Sequence, residues 1–275
     1  MGDRWQGTAY EVSGDGPAVI LVHGLGATRR MWRWQEPALA RRFRVVRYDL
    51  LGHGESDKPV RAYAMEDMVG QVAALADRLG LDRFGLVGFS LGGLIVQATA
   101  LAHPGRVAAL VVLNAAHGRT AAERDAVLKR AEQAAREGPR ATIDAAITRW
   151  FTPAFAARRP DVIAEVRAWI LANDPAVYPH AYRLLATGDA PLASAIAAIR
   201  CPTLVMTGSD DPGNTPAMAQ RMGRLIPGSK VIVVPGLRHM GLAEDPEAFS
   251  GPIAAFLAEA LSPPRPASRP ERTPA

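Results

Sequence analysis

Nineteen consecutive residues, Phe84 to Ala102, carry no charge. That length approaches the roughly 20 apolar residues of a bilayer-spanning helix, but the segment does not read as one helix. Gly85, Gly88, Gly92, Gly93 and the polar Ser90 interrupt it, and its first half, Phe84–Phe89, is short and strand-like. A buried strand turning sharply into a buried helix near Leu91 accounts for the whole stretch. The turn reads Gly88-Phe89-Ser90-Leu91-Gly92. A turn this tight strains the backbone of Ser90 and lifts its hydroxyl to the sheet edge. It also requires small residues two positions away on either side. The Leu91 amide and the positive end of the new helix then face any negative charge that develops beside the hydroxyl. One segment thus predicts both a buried parallel strand and a candidate nucleophile.

The rest of the chain repeats that alternation. Ala18–His23, Arg44–Asp49, Val107–Asn114, Thr203–Gly208 and Lys230–Pro235 are runs rich in Val, Ile and Leu, as strands covered on both faces are. Helical stretches lie between them at Met31–Ala40, Glu66–Leu79, Leu91–Ala102, Pro216–Leu225 and Pro246–Leu261. The last opens on Asp245-Pro246-Glu247, an Asp cap followed by Pro at the first helical position. Strand–helix alternation over this length predicts an α/β fold, a mostly parallel sheet flanked by helices.

From 117 to 195 the alternation lapses into Ala-rich helical sequence, with Asp161–Ala172 and Pro175–Ala186 the cleanest helices. An all-helical insertion between two strands is expected to cap the carboxyl edge of the sheet, where open α/β sheets bind ligands. The predicted organisation is a core from 1–116 and 196–261, a helical cap from 117–195, and a disordered Pro- and Arg-rich tail from 262–275. The chain contains no internal repeat.

The net charge of +5 and pI of about 9.8 raise nucleic acid and membrane surfaces as partners. The distribution speaks against both. Of 32 basic residues only Lys58, Lys129 and Lys230 are Lys, and the arginines stand singly or in pairs without a long basic run. The N-terminus, Met1–Val12, has no apolar segment of the secretory kind. Cys201 is the only cysteine, so no internal disulfide can form, and a cytoplasmic setting is expected. Neither a nucleic-acid nor a membrane partner is predicted, and no cofactor or metal.

A serine nucleophile needs a base, an orienting acid and a second backbone donor. His23-Gly24-Leu25-Gly26 closes an early strand, and its Leu25 amide can join the Leu91 amide as an oxyanion donor. A dinucleotide loop is the rival reading of these glycines, but Arg29 stands where its third glycine belongs. Of six histidines, only His239 follows the final strand on a loop able to overhang the sheet edge. The acid is expected after the penultimate strand, in Gly208-Ser209-Asp210-Asp211-Pro212. Asp211 is preferred and Asp210 stays open, since one of an adjacent pair can serve only to cap the turn. Asn114 occupies another place where a carboxylate could have served. The order Ser90, Asp211, His239 matches one of the known triad orders and not the other two. In the cap, Trp150, Phe151, Trp169, Tyr178 and Tyr182 are candidate pocket residues, as is Met240 beside the histidine. Arg149, Arg183 or Arg30 could meet an acidic substrate.

These residues resemble the α/β-hydrolases over 8–261. The likeness rests on His23-Gly24, the turn from Asp49 through Gly52-His53-Gly54 to Asp57, the elbow Gly88–Gly92, Gly208-Ser209-Asp210-Asp211, and His239. The family's G-x-x-D element falls on Asp211. Within the family the chain is most similar to 3-oxoadipate enol-lactonases and related small-ester hydrolases, through Arg149–Phe155 and Asn173–Tyr178. His23-Gly24 replaces the Asn-Ser pair common in enol-lactonases, and Phe89 is shared with perhydrolase-like esterases. Met240 stands where carbon–carbon bond hydrolases often have Trp. The resemblance implies hydrolysis of a small carboxylic ester or (enol-)lactone through an acyl-enzyme on Ser90. The alternatives are perhydrolase-like or carbon–carbon bond chemistry on the same triad, or a ligand receptor that retains the fold.

Overall fold

The computed structural model describes residues 2–262. The tail expected from 262 therefore lies, apart from Ser262, outside the described residues. The chain enters as a hairpin of β1 (Asp3–Trp5) and β2 (Thr8–Ser13), followed by β3 (Ala18–Val22). A 3₁₀ turn (Arg29–Trp34) and the short α1 (Glu36–Leu39) lead to β4 (Arg44–Tyr48). Then come α2 (Met65–Arg78), β5 (Phe84–Phe89), α3 (Leu91–Ala102) and β6 (Val107–Leu113). Six helices follow without a strand: α4 (Ala121–Glu137), α5 (Arg140–Trp150), α6 (Pro153–Arg158), α7 (Pro160–Leu171), α8 (Tyr178–Thr187) and α9 (Leu192–Ala195). The chain re-enters the sheet through β7 (Thr203–Gly208), then runs α10 (Pro216–Leu225), β8 (Lys230–Val234), α11 (Gly241–Glu244) and α12 (Pro246–Ala260).

The eight strands order as β1-β2-β4-β3-β5-β6-β7-β8. Strands β3 to β8 run parallel, and β1 and β2 are antiparallel. Helices cover both faces, so β5 and β7 are buried at every residue; this is why their sequences run apolar without alternation. Parallel strands put all their carboxyl ends on one edge, and the loops after β3, β5, β7 and β8 meet there. No helix among the described residues is long and apolar enough to cross a membrane.

Two local expectations need correction. The hairpin β1–β2 was not foreseen: three- and six-residue strands carrying Asp3, Arg4 and Glu11 lack a buried strand's apolar run. Their turn uses Gln6 and Gly7, at φ 44° and 76°, as tight hairpin turns do. The expected single helix Met31–Ala40 is instead a 3₁₀ turn and a separate four-residue helix, broken at Gln35. Pro37 explains the break, because a residue without an N–H fits only the first turn of a helix.

Candidate active site

The elbow forms because backbone passes where side chains would not fit. A Cβ on Gly88 would lie 2.2 Å from the Gly92 carbonyl oxygen, and one on Gly92 2.1 Å from that of Val22. Between these glycines Ser90 adopts φ 56°, ψ −113°, a region a non-glycine residue occupies at a cost of about 1–3 kcal/mol. Its amide donates to the Leu113 carbonyl at 2.9 Å, which ties the elbow to β6.

His239 sits on the loop between β8 and α11, and its Nδ1 lies 2.7 Å from Asp211 Oδ2. Asp211, not Asp210, makes this contact: Asp210 is exposed and accepts from the Ser209 hydroxyl at 2.6 Å. Asp211 is 2% exposed. Its Oδ1 accepts from the Gly213 and Asn214 amides at 2.9 and 3.0 Å, and Oδ2 also accepts from Asn114 Nδ2 at 3.0 Å. Burial alone would raise its proton affinity. The His239 ring, with the Asn114 and Gly213 donors, outweighs burial and holds the carboxyl below its usual value.

Two partners of this pair were not legible as such. Asn114, at φ 46°, holds the carboxylate in place of being one. The side-chain Nδ2 of Asn214 lies 3.0 Å from His239 Nδ1, and nothing but its place just past Asp211 could have signalled it. The His239 ring packs on Phe89, with ring centroids 4.8 Å apart.

The second loop is fixed from beneath by a buried histidine. The Leu50 amide donates to His23 Nε2 at 2.9 Å, so that nitrogen is unprotonated and Nδ1–H donates to the Gly24 carbonyl at 2.8 Å. From above, Asn173 Nδ2 of the helical insertion donates to the Gly26 carbonyl at 3.0 Å. Among the described residues neither the Leu25 nor the Leu91 amide has an acceptor within the protein. The Leu91 amide opens α3 directly after Ser90, and its side chain is buried in the core.

Ser90, Asp211, His239 and Leu25 line one cleft of about 970 Å³, partly open to solvent, between the sheet edge and the inserted helices. Of the residues expected at the pocket, Arg149, Trp150, Trp169, Tyr178, Tyr182 and Met240 line it. Phe151 does not: it stacks on Phe155 at 5.6 Å. Arg183 is exposed and outside the lining, and Arg30 is exposed beside Glu55. Arg130 lines the cleft and was not anticipated. Among the described residues no three His, Cys, Asp or Glu side chains converge as a metal site would require.

A family model described as the alpha/beta hydrolase fold matches residues 17–246. The (E)-2-((N-methylformamido)methylene)succinate hydrolase of Acinetobacter baylyi is 31% identical over 90% of this chain and 93% of its own length. Two solved structures are also similar. The enol-lactonase from Burkholderia xenovorans has a TM-score of 0.84 at 30% identity, covering 92% of this chain and 98% of that one. A thermophilic esterase from Thermogutta terrifontis, with malate bound, has a TM-score of 0.85 at 32% identity, covering 93% and 94%.

Proposed function

The chain is a hydrolase of the α/β-hydrolase family, close to its enol-lactonase branch, and from that premise we propose that it cleaves carboxylic esters or lactones through an acyl-enzyme on Ser90. The observation that carries this reading is the convergence of a strained serine and a buried Asp–His pair on one cleft. The enol-lactonase and the esterase with which it shares this fold are named for the same class of bond.

In the proposed reaction the Ser90 hydroxyl oxygen attacks the carbonyl carbon while His239 Nε2 takes its proton. Asp211 orients the ring and offsets the positive charge the imidazole gains. The carbonyl oxygen becomes an oxyanion that the Leu25 and Leu91 amides stabilise, both being free to donate. Collapse expels the alkoxide or enolate, which takes the proton from His239. Water, deprotonated by the same nitrogen, then releases the acid and restores Ser90. For a lactone, acid and alcohol leave as one molecule.

The wild-type protein should turn over many equivalents of p-nitrophenyl acetate, and a fluorophosphonate probe should label Ser90. Ser90→Ala should lower kcat by several orders of magnitude, about a millionfold where a nucleophile of this kind is removed. A protein that processes one equivalent or none behaves as a receptor. Full activity in Ser90→Ala places the chemistry elsewhere. Either result overturns the proposal.

A further inference from the structure

His239 presents Nδ1 to two side chains and not to one. Asp211 Oδ2 lies 2.7 Å from it, and Asn214 Nδ2 lies 3.0 Å from it. The two contacts suit different states of the ring. An amide N–H from Asn214 suits a bare Nδ1, whereas a ring whose Nε2 is to take a proton carries its own hydrogen on Nδ1 and donates it to Asp211. In that state a donor would meet a donor. Half a turn about the Asn214 Cβ–Cγ bond exchanges the amide nitrogen and oxygen at nearly the same place. Oδ1 then stands beside Asp211 as a second acceptor for Nδ1–H.

Asn214 is held where such a contact needs it. It is buried and lines the cleft. Its backbone amide donates to Asp211 Oδ1 at 3.0 Å, and its carbonyl accepts from the hydroxyl of Thr207 in β7 at 2.8 Å. The next residue, Thr215, caps α10 by accepting from the Met218 amide. The backbone is thus fixed on both sides, and among the described residues His239 is the one hydrogen-bond partner of the Asn214 side chain. Asp211 does not serve the imidazole alone. Its Oδ2 also accepts from Asn114, and its Oδ1 accepts from the Gly213 and Asn214 amides. The rings of Phe89 and Trp150 pack on the imidazole, with centroids 4.8 and 5.9 Å away, and neither offers an acceptor.

We propose that Asn214 is a positioning residue for His239: its Oδ1 accepts from Nδ1–H together with Asp211 Oδ2, and so holds the tautomer whose Nε2 is the base. The consequence for turnover rests on the Ser90 hydrolase reading, whereas the contact itself does not. When Nε2 gains the Ser90 proton, the ring becomes a cation with Nδ1–H still in place, and both acceptors bind it more strongly. When Nε2 passes that proton to the leaving oxygen, Nδ1–H and its two acceptors are unchanged.

The test removes the acceptor and then restores it. Asn214→Leu, of similar size, should lower kcat for p-nitrophenyl acetate by about tenfold with KM within about twofold. Asn214→Asp keeps an acceptor and lacks the donor, so at the plateau of its own pH profile kcat should stay within about threefold of wild type. Should charge beside Asp211 disturb that variant, the exchange of Asp211→Asn with Asn214→Asp leaves a single carboxylate at the ring. It should exceed Asp211→Asn alone by at least about tenfold in kcat. A kcat within about twofold of wild type in Asn214→Leu, or a change in KM alone, overturns the proposal. So does an equal loss in Asn214→Leu and Asn214→Asp with no gain in the exchange. The low-field proton resonance of His239 Nδ1–H, assigned by its loss in His239→Gln, separates the two readings. A resonance that shifts or broadens away in Asn214→Leu, in a protein without ester turnover, upholds the contact and counts against Ser90 hydrolysis. Ester turnover with that resonance and kcat unmoved in Asn214→Leu does the reverse.

Discussion

Ser90 and Asp211 are held by opposite means. Ser90 keeps an unfavourable backbone conformation because Gly88 and Gly92 leave room for nothing but backbone around it. Asp211 has four donors arranged about a carboxylate that burial would otherwise protonate. Its adjacent twin, Asp210, faces outward. Asp211→Asn should therefore lower kcat for p-nitrophenyl acetate by about a thousandfold to ten-thousandfold, since an amide stabilises the wrong imidazole tautomer. Asp210→Asn should stay within about twofold, as exposed substitutions usually do. Equal losses in the two variants would sink this assignment. Ser90 was legible because its geometry is written within five consecutive residues, and His239 because its place after the last strand narrows six histidines to one. Asn114, Asn214 and Arg130 were not legible in these roles. Asn114 meets Asp211 across 97 positions of sequence, and Arg130 reaches the cleft through the packing of α4 on α8 and α5. No local pattern encodes either contact.

Among the elements, the helical insertion is bonded to both loops of the site and does not merely lie over them. The Met240 amide donates to the Trp150 carbonyl at 2.9 Å. Arg238 donates to the carbonyls of Thr148 at 2.6 Å and Phe151 at 3.1 Å. Glu244 of α11 accepts from the Thr152 amide at 2.8 Å and from its hydroxyl. The loop carrying His239 is thus strapped to the end of α5 and the start of α6. Glu244→Ala strands two donors at that junction, and it should lower Tm by about 5 °C, as loss of a charge-assisted pair of hydrogen bonds does. Because the strap bears on His239 and on the Trp150 wall together, kcat should fall and KM rise in the same variant. Glu244→Gln, which keeps one acceptor, should recover part of both. A variant that loses Tm with kcat and KM unchanged would show the strap to be structural only. The strands were legible because burial on both faces leaves no alternation to misread. The inserted helices were legible as a helical mass with few clear boundaries, since Ala-rich sequence satisfies helix periodicity almost anywhere. Pro153 and Pro160, each in the first turn of its helix, mark limits that chemistry and not periodicity supplies.

For the molecule as a whole, part of the positive charge is held in ion pairs, as in Arg61–Asp67 and Arg159–Asp161 on the surface and Arg29–Asp49 within. Stability against acid depends on a different pair. His23 and His53 are fully buried, their rings 5.3 Å apart and edge to face. His53 Nε2 has no partner, and His23 Nε2 accepts from the Leu50 amide, so protonating either ring is opposed. Burial lowers His23 from 6.5 to about 4 and, with the neighbouring His23, lowers His53 to about 3. The folded protein prefers both neutral, whereas the unfolded chain takes up protons as pH falls below 6.5. Stability should therefore fall as pH drops from about 6.5 toward 4, and His23 alone accounts for about 3 kcal/mol of that loss. Asp211 acts in the same sense but lower, below the ordinary carboxylate range, so the histidine window is separable. Urea midpoints measured between about pH 7.5 and 4.5 should decline steeply below pH 6.5. In His53→Gln, which cannot be charged and relieves its neighbour, the decline should be shallower, with the midpoint at high pH lowered by the imperfect fit. A wild-type midpoint flat across this window, or an equal slope in the variant, would remove the buried histidines as the acid-sensitive element. Since His23 also fixes the Gly24 carbonyl beside the Leu25 amide, turnover should decline in that window no later than the fold itself.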